Sequence, residues 1–207
     1  MNWSPNILFN HGYNIRDKGK GTIDRLKVHL KSIWPDCTID CDSTDYGWHG
    51  LLKVRFFNKK AVRKIADKLP EFDIVVNHSN GANYLHKALE LLKKEGKENE
   101  NLHIIHFSPA LNRKQKLEDF KFKRMDLFCS KSDWVVRLAK YLPFHDWGNA
   151  GQKGIKTEDP RYNEHYYHSV GHSDWFYEPT VSEVVEKLKI IRLETDESTN
   201  SDICASS

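Results

Sequence analysis

Four segments of the sequence place chemically capable side chains directly after a short apolar run. They are His11-Gly12-Tyr13-Asn14, Asn77-His78-Ser79-Asn80-Gly81, Ser130-Lys131-Ser132-Asp133-Trp134 and Gly171-His172-Ser173-Asp174-Trp175. A serine that attacks a carbonyl needs a histidine as its base, and the histidine needs a carboxylate that fixes its tautomer. Ser79, Asp133 and His172 supply these three groups in that chain order: serine, aspartate, histidine. The first hypothesis is therefore nucleophilic catalysis by a serine.

Ser79 stands where an apolar run gives way to a helical pattern. Residues 73–77 are β-branched and apolar at their centre, and residues 80–94 place apolar side chains at helical spacing. A sharp strand–turn–helix joint exposes the side chain at its middle, and the first backbone N–H groups of the helix stabilise a developing oxyanion there. The pattern Asn77-x-Ser79-x-Gly81 differs from G-x-S-x-G in its first residue. By itself it fits a nucleophile elbow and an ordinary helix cap equally well.

Short apolar runs alternate with longer amphipathic ones along most of the chain. The patterns predict strands at residues 7–10, 38–41, 73–77, 102–107, 125–129 and 164–168, and helices at 22–34, 58–69, 80–94, 134–141 and 180–192. Short joints between such elements indicate an α/β fold with a mainly parallel sheet. Because ligands of these sheets bind at the carboxyl ends of the strands, the four polar segments are predicted to meet there.

The order Ser79, Asp133, His172, with each residue at a strand end, resembles the α/β-hydrolase family, especially small lipase- and esterase-like members without a large cap. The resemblance covers about residues 6–193. It implies a three-layer sandwich, with a mainly parallel central sheet and helices on both of its faces. It also implies that Ser79 is the nucleophile, His172 the base and Asp133 the acid of a catalytic triad.

The same resemblance implies how the oxyanion is held. His11-Gly12 resembles the oxyanion loop that follows an early strand in this family, although the extra glycines of the H-G-G-G subgroup are absent. The expected donors are the backbone N–H groups of Tyr13 and Asn80. Such a mechanism needs no metal and no organic cofactor. The expected substrate is a small ester or acyl compound, that is a carboxylester, a lipid ester or a thioester.

Two loops are candidates for the substrate pocket. Residues 46–57 are rich in aromatic and apolar side chains, and Tyr46 and Trp48 are predicted to line an acyl pocket together with His11. Residues 141–162 include Trp147 and two nearby glycines, and they suit a mobile flap over the site. The simpler alternatives are a packed core segment for the first loop and an ordinary surface loop for the second.

Several neighbouring residues compete for the triad roles. His78 is expected to be a buried, hydrogen-bonded histidine, and Asp126 is expected to open its strand at the wrong end of the sheet. His168 is expected within the last strand, and Asp174 in a turn. A zinc site among the histidines of this region is disfavoured, because an extended strand would scatter them.

The charge of the chain points to no particular class of partner. The 207 residues carry 32 Lys and Arg against 29 Asp and Glu, a formal net charge of +3. The basic stretch at residues 112–124 is interspersed with acids and is interpreted as a solvated connection, so nucleic-acid binding is not favoured. Two alternatives to an enzyme remain: an inactive hydrolase-fold accessory protein, and a factor that binds nucleic acid or membrane through the basic stretch.

Composition also predicts the organisation of the chain. No apolar run reaches the length of a membrane-spanning helix, and no secretory leader is recognised. The four cysteines are expected to be free thiols in the cytoplasm. Residues 1–193 are predicted to form one α/β-hydrolase domain. Residues 194–207 are polar and are predicted to form a disordered tail.

Overall fold

A computed structural model describes residues 4–12, 20–42, 44, 58–139, 141 and 147–205. Six strands in this part of the chain form one sheet in the order β2-β1-β3-β4-β5-β6, and every neighbouring pair is parallel. The strands are β1 Asn6–Asn10, β2 Thr38–Asp40, β3 Ile74–His78, β4 His103–Phe107, β5 Arg124–Ser130 and β6 Tyr162–Tyr167. The predicted parallel sheet is confirmed.

Helices connect the strands and cover the sheet. They are α1 Leu26–Ile33, α2 Lys59–Lys68, α3 Asn80–Glu95, α4 Trp134–Ala139, α5 Ala150–Lys153 and α6 Thr180–Ala205. The helical spacing of their apolar residues decides which side of each helix is buried. In α1, for example, Leu26, Leu30 and Ile33 are buried, and Pro35 follows shortly after the helix ends.

Two apolar layers lie on opposite faces of the sheet. Alternate side chains of a strand point to opposite faces, so Val75 packs with α2 and α3, whereas Ile74 and Val76 pack with α1 and α6. All five residues of β3 are buried, as expected of a central strand that is covered on both sides. The three-layer sandwich expected from the sequence is therefore present.

The chain register places three polar side chains in one row beneath α3. Asn77 of β3 pairs with Asn10 of β1 on one side and with His106 of β4 on the other. All three residues are almost completely buried. Asn10 is the last residue of β1, and Asn77 and His106 each lie one residue before the last residue of β3 and β4. The row therefore lies at the carboxyl ends of these strands, which is the edge at which the candidate site is built.

The C-terminal helix extends further than the sequence pattern predicts. The apolar periodicity predicts a helix that ends near residue 192, followed by a tail from residue 194. The structure continues α6 to Ala205, and no glycine or proline interrupts the sequence over that length.

Two further features bear on the expectations from composition. Cys37, Cys41 and Cys129 are buried free thiols. Within the described ranges, every helix is too short or too polar to cross a lipid bilayer.

Candidate active site

Ser79 occupies a sharp joint between β3 and α3. Its backbone torsions are φ 53° and ψ −119°, a conformation that L-residues seldom adopt because it crowds the side chain. Its N–H donates to the Phe107 carbonyl at 3.0 Å, and its carbonyl accepts from the N–H groups of Ala82 and Ala110 at 3.2 and 3.1 Å. Strained torsions persist only where the surroundings hold them, and they concentrate at functional sites.

The joint depends on a very close approach of α3 to the end of β1. A Cβ atom at Gly81 would lie 2.4 Å from the Asn10 carbonyl oxygen and 2.7 Å from that of His11. A Cβ atom at Gly12 would lie 3.1 Å from the Cβ of Ser79. The two glycines therefore bring the His11-Gly12 segment directly beside Ser79.

Asn77 takes the place of the first glycine of the usual motif, and its amide is accommodated by hydrogen bonds. Its Oδ1 accepts from Asn10 Nδ2 at 2.9 Å, and its Nδ2 donates to the Ile105 carbonyl at 3.3 Å. Asn10 Oδ1 in turn accepts from the Thr44 hydroxyl at 2.9 Å. The Asn77 side chain, which a glycine would lack, thus lies in a buried polar network, and Ser79 keeps its strained torsions.

Asp133 and His172 form a hydrogen-bonded pair. His172 Nδ1 lies 2.8 Å from Asp133 Oδ2, and the Asp133 side chain is completely buried. The other carboxylate oxygen accepts from the backbone N–H groups of Val135 and Val136, at 3.1 and 3.2 Å. The carboxylate is therefore fixed both by the first turn of α4 and by the imidazole.

The electrostatics of Asp133 favour its ionised form. Burial alone would raise the pKa of this carboxyl group, but the hydrogen bond and the charge of His172, together with the hydrogen bond from the Val136 N–H, outweigh burial and lower its pKa below the ordinary value. An ionised carboxylate beside an imidazole orients the ring and stabilises the imidazolium that forms when the ring accepts a proton.

His78 links the base to the nucleophile segment. Its Nε2 lies 2.9 Å from the His172 carbonyl oxygen, and its ring centroid lies 4.9 Å from that of His172. Burial, helped by the charge of His172, lowers the pKa of His78 to about 3, so its imidazole is neutral near pH 7 and Nε2–H is the donor. Among the described residues, no hydrogen bond joins Ser79 Oγ to the His172 ring, and such contacts are often long before substrate binds.

Asn80 and Trp147 also meet at this site. The Trp147 indole N–H donates to Asn80 Oδ1 at 2.8 Å, and both side chains are buried. Asn80 is the first residue of α3, so its backbone N–H lies at the helix N-terminus next to Ser79. His11 is buried as well, with Nδ1 3.0 Å from the Gly12 carbonyl oxygen. Tyr13, Tyr46 and Trp48 lie outside the described residues.

One residue at this site is not among those predicted from the sequence. Ser108 directly follows β4, is completely buried, and has a φ of 45°. Its hydroxyl accepts from the Trp175 indole N–H at 2.8 Å. The sequence does contain an indication of this placement, because Ser108 comes immediately after the predicted strand 102–107. Ser79 is predicted from the same kind of position at the end of a strand.

The other residues that could have filled the triad roles lie elsewhere or have other partners. Asp126 lies within β5 rather than at its opening, is fully buried, and contacts His103 and His165 at 2.7 Å each. Burial would raise the pKa of Asp126, but these histidines and Arg124 lower it. His168 does not lie within the strand, because β6 ends at Tyr167, and its side chain is exposed.

The described part of the proposed flap is packed rather than loose. A Cβ atom at Gly148 would lie 2.3 Å from the Leu111 carbonyl oxygen, and one at Gly151 would lie 2.6 Å from the Ser108 carbonyl carbon. These glycines therefore permit close packing of the backbone against Leu111 and Ser108. Among the residues that the structure describes, no group of three or more His, Cys, Asp or Glu side chains has an arrangement that could hold a metal ion.

Much of the basic stretch makes contacts within the chain. The Arg113 guanidinium donates to the carbonyl groups of Lys153 and Gly154 at 3.0 Å each. Lys121 lies 2.5 Å from a carboxylate oxygen of Glu100. These contacts fit the interpretation of residues 112–124 as a connection on the protein surface.

No protein-family model and no curated protein matches the sequence. Solved structures do match the fold. A sugar hydrolase from Lactococcus lactis superposes with a TM-score of 0.57 at 10% identity, over 97% of this chain and 92% of that one. An α/β-hydrolase superfamily protein from Enterococcus faecalis gives 0.54 at 10% identity, over 89% of each chain. The thioesterase RedJ from Streptomyces coelicolor gives 0.52 at 9% identity, over 90% and 86%. At such identities the likeness concerns the fold, and the chain has the α/β-hydrolase fold.

Proposed function

We propose that this protein is a serine hydrolase that cleaves an ester-type bond of a small molecule through an acyl-enzyme. The observation that carries the proposal is the strained joint at Ser79, whose neighbour His78 contacts the hydrogen-bonded pair of His172 and Asp133. A nucleophile, a base and an ionised carboxylate in this order form a catalytic triad. The hydrolases that share the fold support the same class of reaction.

Acylation begins with attack of Ser79 Oγ on the substrate carbonyl carbon. His172 accepts the serine proton, and the Asp133 carboxylate stabilises the resulting imidazolium. The carbonyl oxygen becomes an oxyanion, which accepts hydrogen bonds from the Asn80 N–H and from the Tyr13 N–H. When the tetrahedral intermediate collapses, the bond to the leaving group breaks and His172 donates its proton to the alcohol or thiol that departs.

Deacylation repeats these steps with water. His172 removes a proton from the water molecule while the water oxygen attacks the acyl carbon. The second tetrahedral intermediate expels Ser79 Oγ, which recovers its proton from His172. We assign the pocket that binds the acyl group to His11, Tyr46, Trp48 and Trp147. The Trp147 indole N–H also donates to the side chain of Asn80, whose backbone N–H is the proposed oxyanion donor.

Labelling with a fluorophosphonate tests the proposal, because this probe reacts with activated serines. We expect wild type to be labelled and Ser79→Ala to lose labelling, with turnover of a short p-nitrophenyl ester reduced roughly 10⁴-fold or more. Ser182→Ala is the matched control, since Ser182 is exposed on α6 and should leave labelling unchanged. Equal labelling of wild type and Ser79→Ala would contradict the mechanism.

A further inference from the structure

We propose that Ser130 and Ser132 are positioning residues of this site, because their hydroxyl groups fix the segment that carries the base against the strand end that carries the acid. Both hydroxyls contact the backbone carbonyl of Val170, two residues before His172. We call these contacts the serine clasp. The inference rests on the proposed function and gives a role to two side chains that take no part in the acylation and deacylation steps.

Three short contacts make up the serine clasp. Ser130 Oγ lies 2.5 Å from the Val170 carbonyl oxygen, Ser132 Oγ lies 3.1 Å from the same oxygen, and the two hydroxyl oxygens lie 3.0 Å apart. A carbonyl oxygen only accepts hydrogen bonds, and its two lone pairs allow it to accept from both hydroxyls. Ser130 and Val170 are both buried, and a buried carbonyl depends on donors within the protein.

The serine clasp begins where the sheet ends. Ser130 is the last residue of β5, and it pairs with Tyr167, the last residue of β6. One more backbone hydrogen bond follows this pair, from the Lys131 N–H to the Tyr167 carbonyl at 3.2 Å. Beyond it, the serine clasp and the hydrogen bond between His172 and Asp133 connect the two segments through side chains.

Short stretches of chain join the serine clasp to the acid and to the base. The Asp133 N–H donates to the Ser130 carbonyl at 3.1 Å, so the acid lies one tight turn after the buried serine. On the other side, the Val170 side chain packs in the apolar layer that α1 and α6 cover. The His172 carbonyl oxygen lies 2.9 Å from His78 Nε2. The base segment is therefore held before and at the base, which restricts the imidazole relative to the acid.

Loss of the serine clasp should affect the chemical step more than substrate binding. The clasp acts on the distance between the acid and the base rather than on the substrate. A shift of about 1 Å in the position of a catalytic group can lower the rate on the order of 100-fold. Because the two hydroxyls share one acceptor, either can partly replace the other, so the effects of removing them should not be additive.

The experiment compares Ser130→Ala, Ser132→Ala and the double variant with wild type, using a short p-nitrophenyl ester and the fluorophosphonate. We expect kcat and the labelling rate to fall roughly 10-fold in Ser130→Ala, about 3-fold in Ser132→Ala and roughly 100-fold in the double variant, while KM changes less than about 2-fold. Ser32→Ala is the matched control, because the exposed Ser32 hydroxyl on α1 also donates to a backbone carbonyl, that of His29 at 2.6 Å. It should keep the wild-type kcat.

Two conservative variants separate the hydrogen bonds from packing. Ser130→Cys fills nearly the same space but has only a weak S–H donor, so it should be nearly as slow as Ser130→Ala. A wild-type kcat in Ser130→Cys would mean that Ser130 acts by packing alone, which contradicts a positioning role. Ser132→Thr keeps the hydroxyl at an exposed position and should keep kcat within about 2-fold of wild type. If the variants of Ser130 do not fold, equal kcat values for Ser132→Thr and Ser132→Ala would contradict the inference.

The outcomes separate this inference from the proposed function. If wild type is labelled at Ser79 and the double variant keeps the wild-type kcat and labelling rate, the serine clasp has no positioning role and the triad stands. A rise of KM at unchanged kcat, or a loss of stability at unchanged kcat, would likewise contradict the inference. An unlabelled wild type would overturn the proposed function and, with it, the role assigned to the clasp.

Discussion

At the scale of single residues, two serines hold torsions that their own side chains disfavour. Ser79 and Ser108 both have positive φ, although serine has a Cβ that crowds the backbone in this region. Each strained residue costs about 1–3 kcal/mol, which the packing around it must offset. Both lie at the carboxyl ends of neighbouring strands, β3 and β4, where the candidate site is built.

The strain at Ser79 is measurable as a difference between two variants. Ser79→Gly relieves the torsional cost and Ser79→Ala retains it, while both remove the hydroxyl. We expect the free energy of unfolding of Ser79→Gly to exceed that of Ser79→Ala by about 1 kcal/mol, as measured by urea denaturation. An equal or lower stability of the glycine variant would show that the serine is unstrained.

The sequence identifies the candidate triad more readily than the buried residues around it. Ser79, Asp133 and His172 have distinctive types, and each follows an apolar run. Ser108 has the same placement, but its hydroxyl contacts a side chain that is 67 residues away in the sequence, that of Trp175. Such contacts depend on the spacing of strands and loops, which local residue patterns do not determine.

At the scale of elements, the joint between β3 and α3 depends on a glycine. The first turn of α3 lies against the carbonyl groups at the end of β1, and only a residue without a Cβ fits at Gly81. The position of the helix N-terminus, and hence of the Asn80 N–H, therefore depends on this contact.

A pair of glycine variants of α3 tests that dependence. Gly81→Ala should lower the stability by about 2 kcal/mol or more and slow fluorophosphonate labelling, because backbone atoms must move to admit the methyl group. Gly96→Ala at the other end of the helix meets no atom within 4 Å and carries only the cost of its φ of 65°. It should lose about 1 kcal/mol and keep wild-type labelling. Equal effects of the two variants would argue against the close approach.

Strands and helices were predictable where a hydrophobic pattern repeats. The apolar run at Ile74, Val75 and Val76 predicts a central parallel strand, and its full burial confirms this. The tight packing of Gly148 and Gly151 was not predictable, because a glycine that admits a neighbouring backbone has the same sequence pattern as one in a mobile loop. Only the three-dimensional structure distinguishes the two.

At the scale of the whole molecule, five of the described histidines are buried, and burial lowers the pKa of three of them. Burial lowers the pKa of His78 to about 3 and that of His86 to about 4, and it lowers the pKa of His106 well below its ordinary value. Each is therefore neutral in the folded protein at pH 7. In the unfolded chain, a histidine takes up a proton near pH 6.5.

The pH dependence of stability follows from this difference. Because the folded pKa values are lowered, the unfolded state binds more protons below pH 6.5, and stability is lost as the pH falls below that value. We expect His86→Leu to lose about 1 kcal/mol less stability than wild type between pH 7.5 and pH 5.5, measured by urea denaturation. The same loss in both proteins would mean that His86 is protonated in the folded state.

The most direct test of the catalytic account identifies the residue that carries the label. Wild-type protein treated with the fluorophosphonate is digested, and the modified peptide is sequenced by tandem mass spectrometry. The account predicts a single adduct on Ser79, formed slowly or not at all when His172 is replaced by glutamine. An adduct on Ser108, Ser130 or Ser132, or folded wild-type protein that takes up no label, would contradict it.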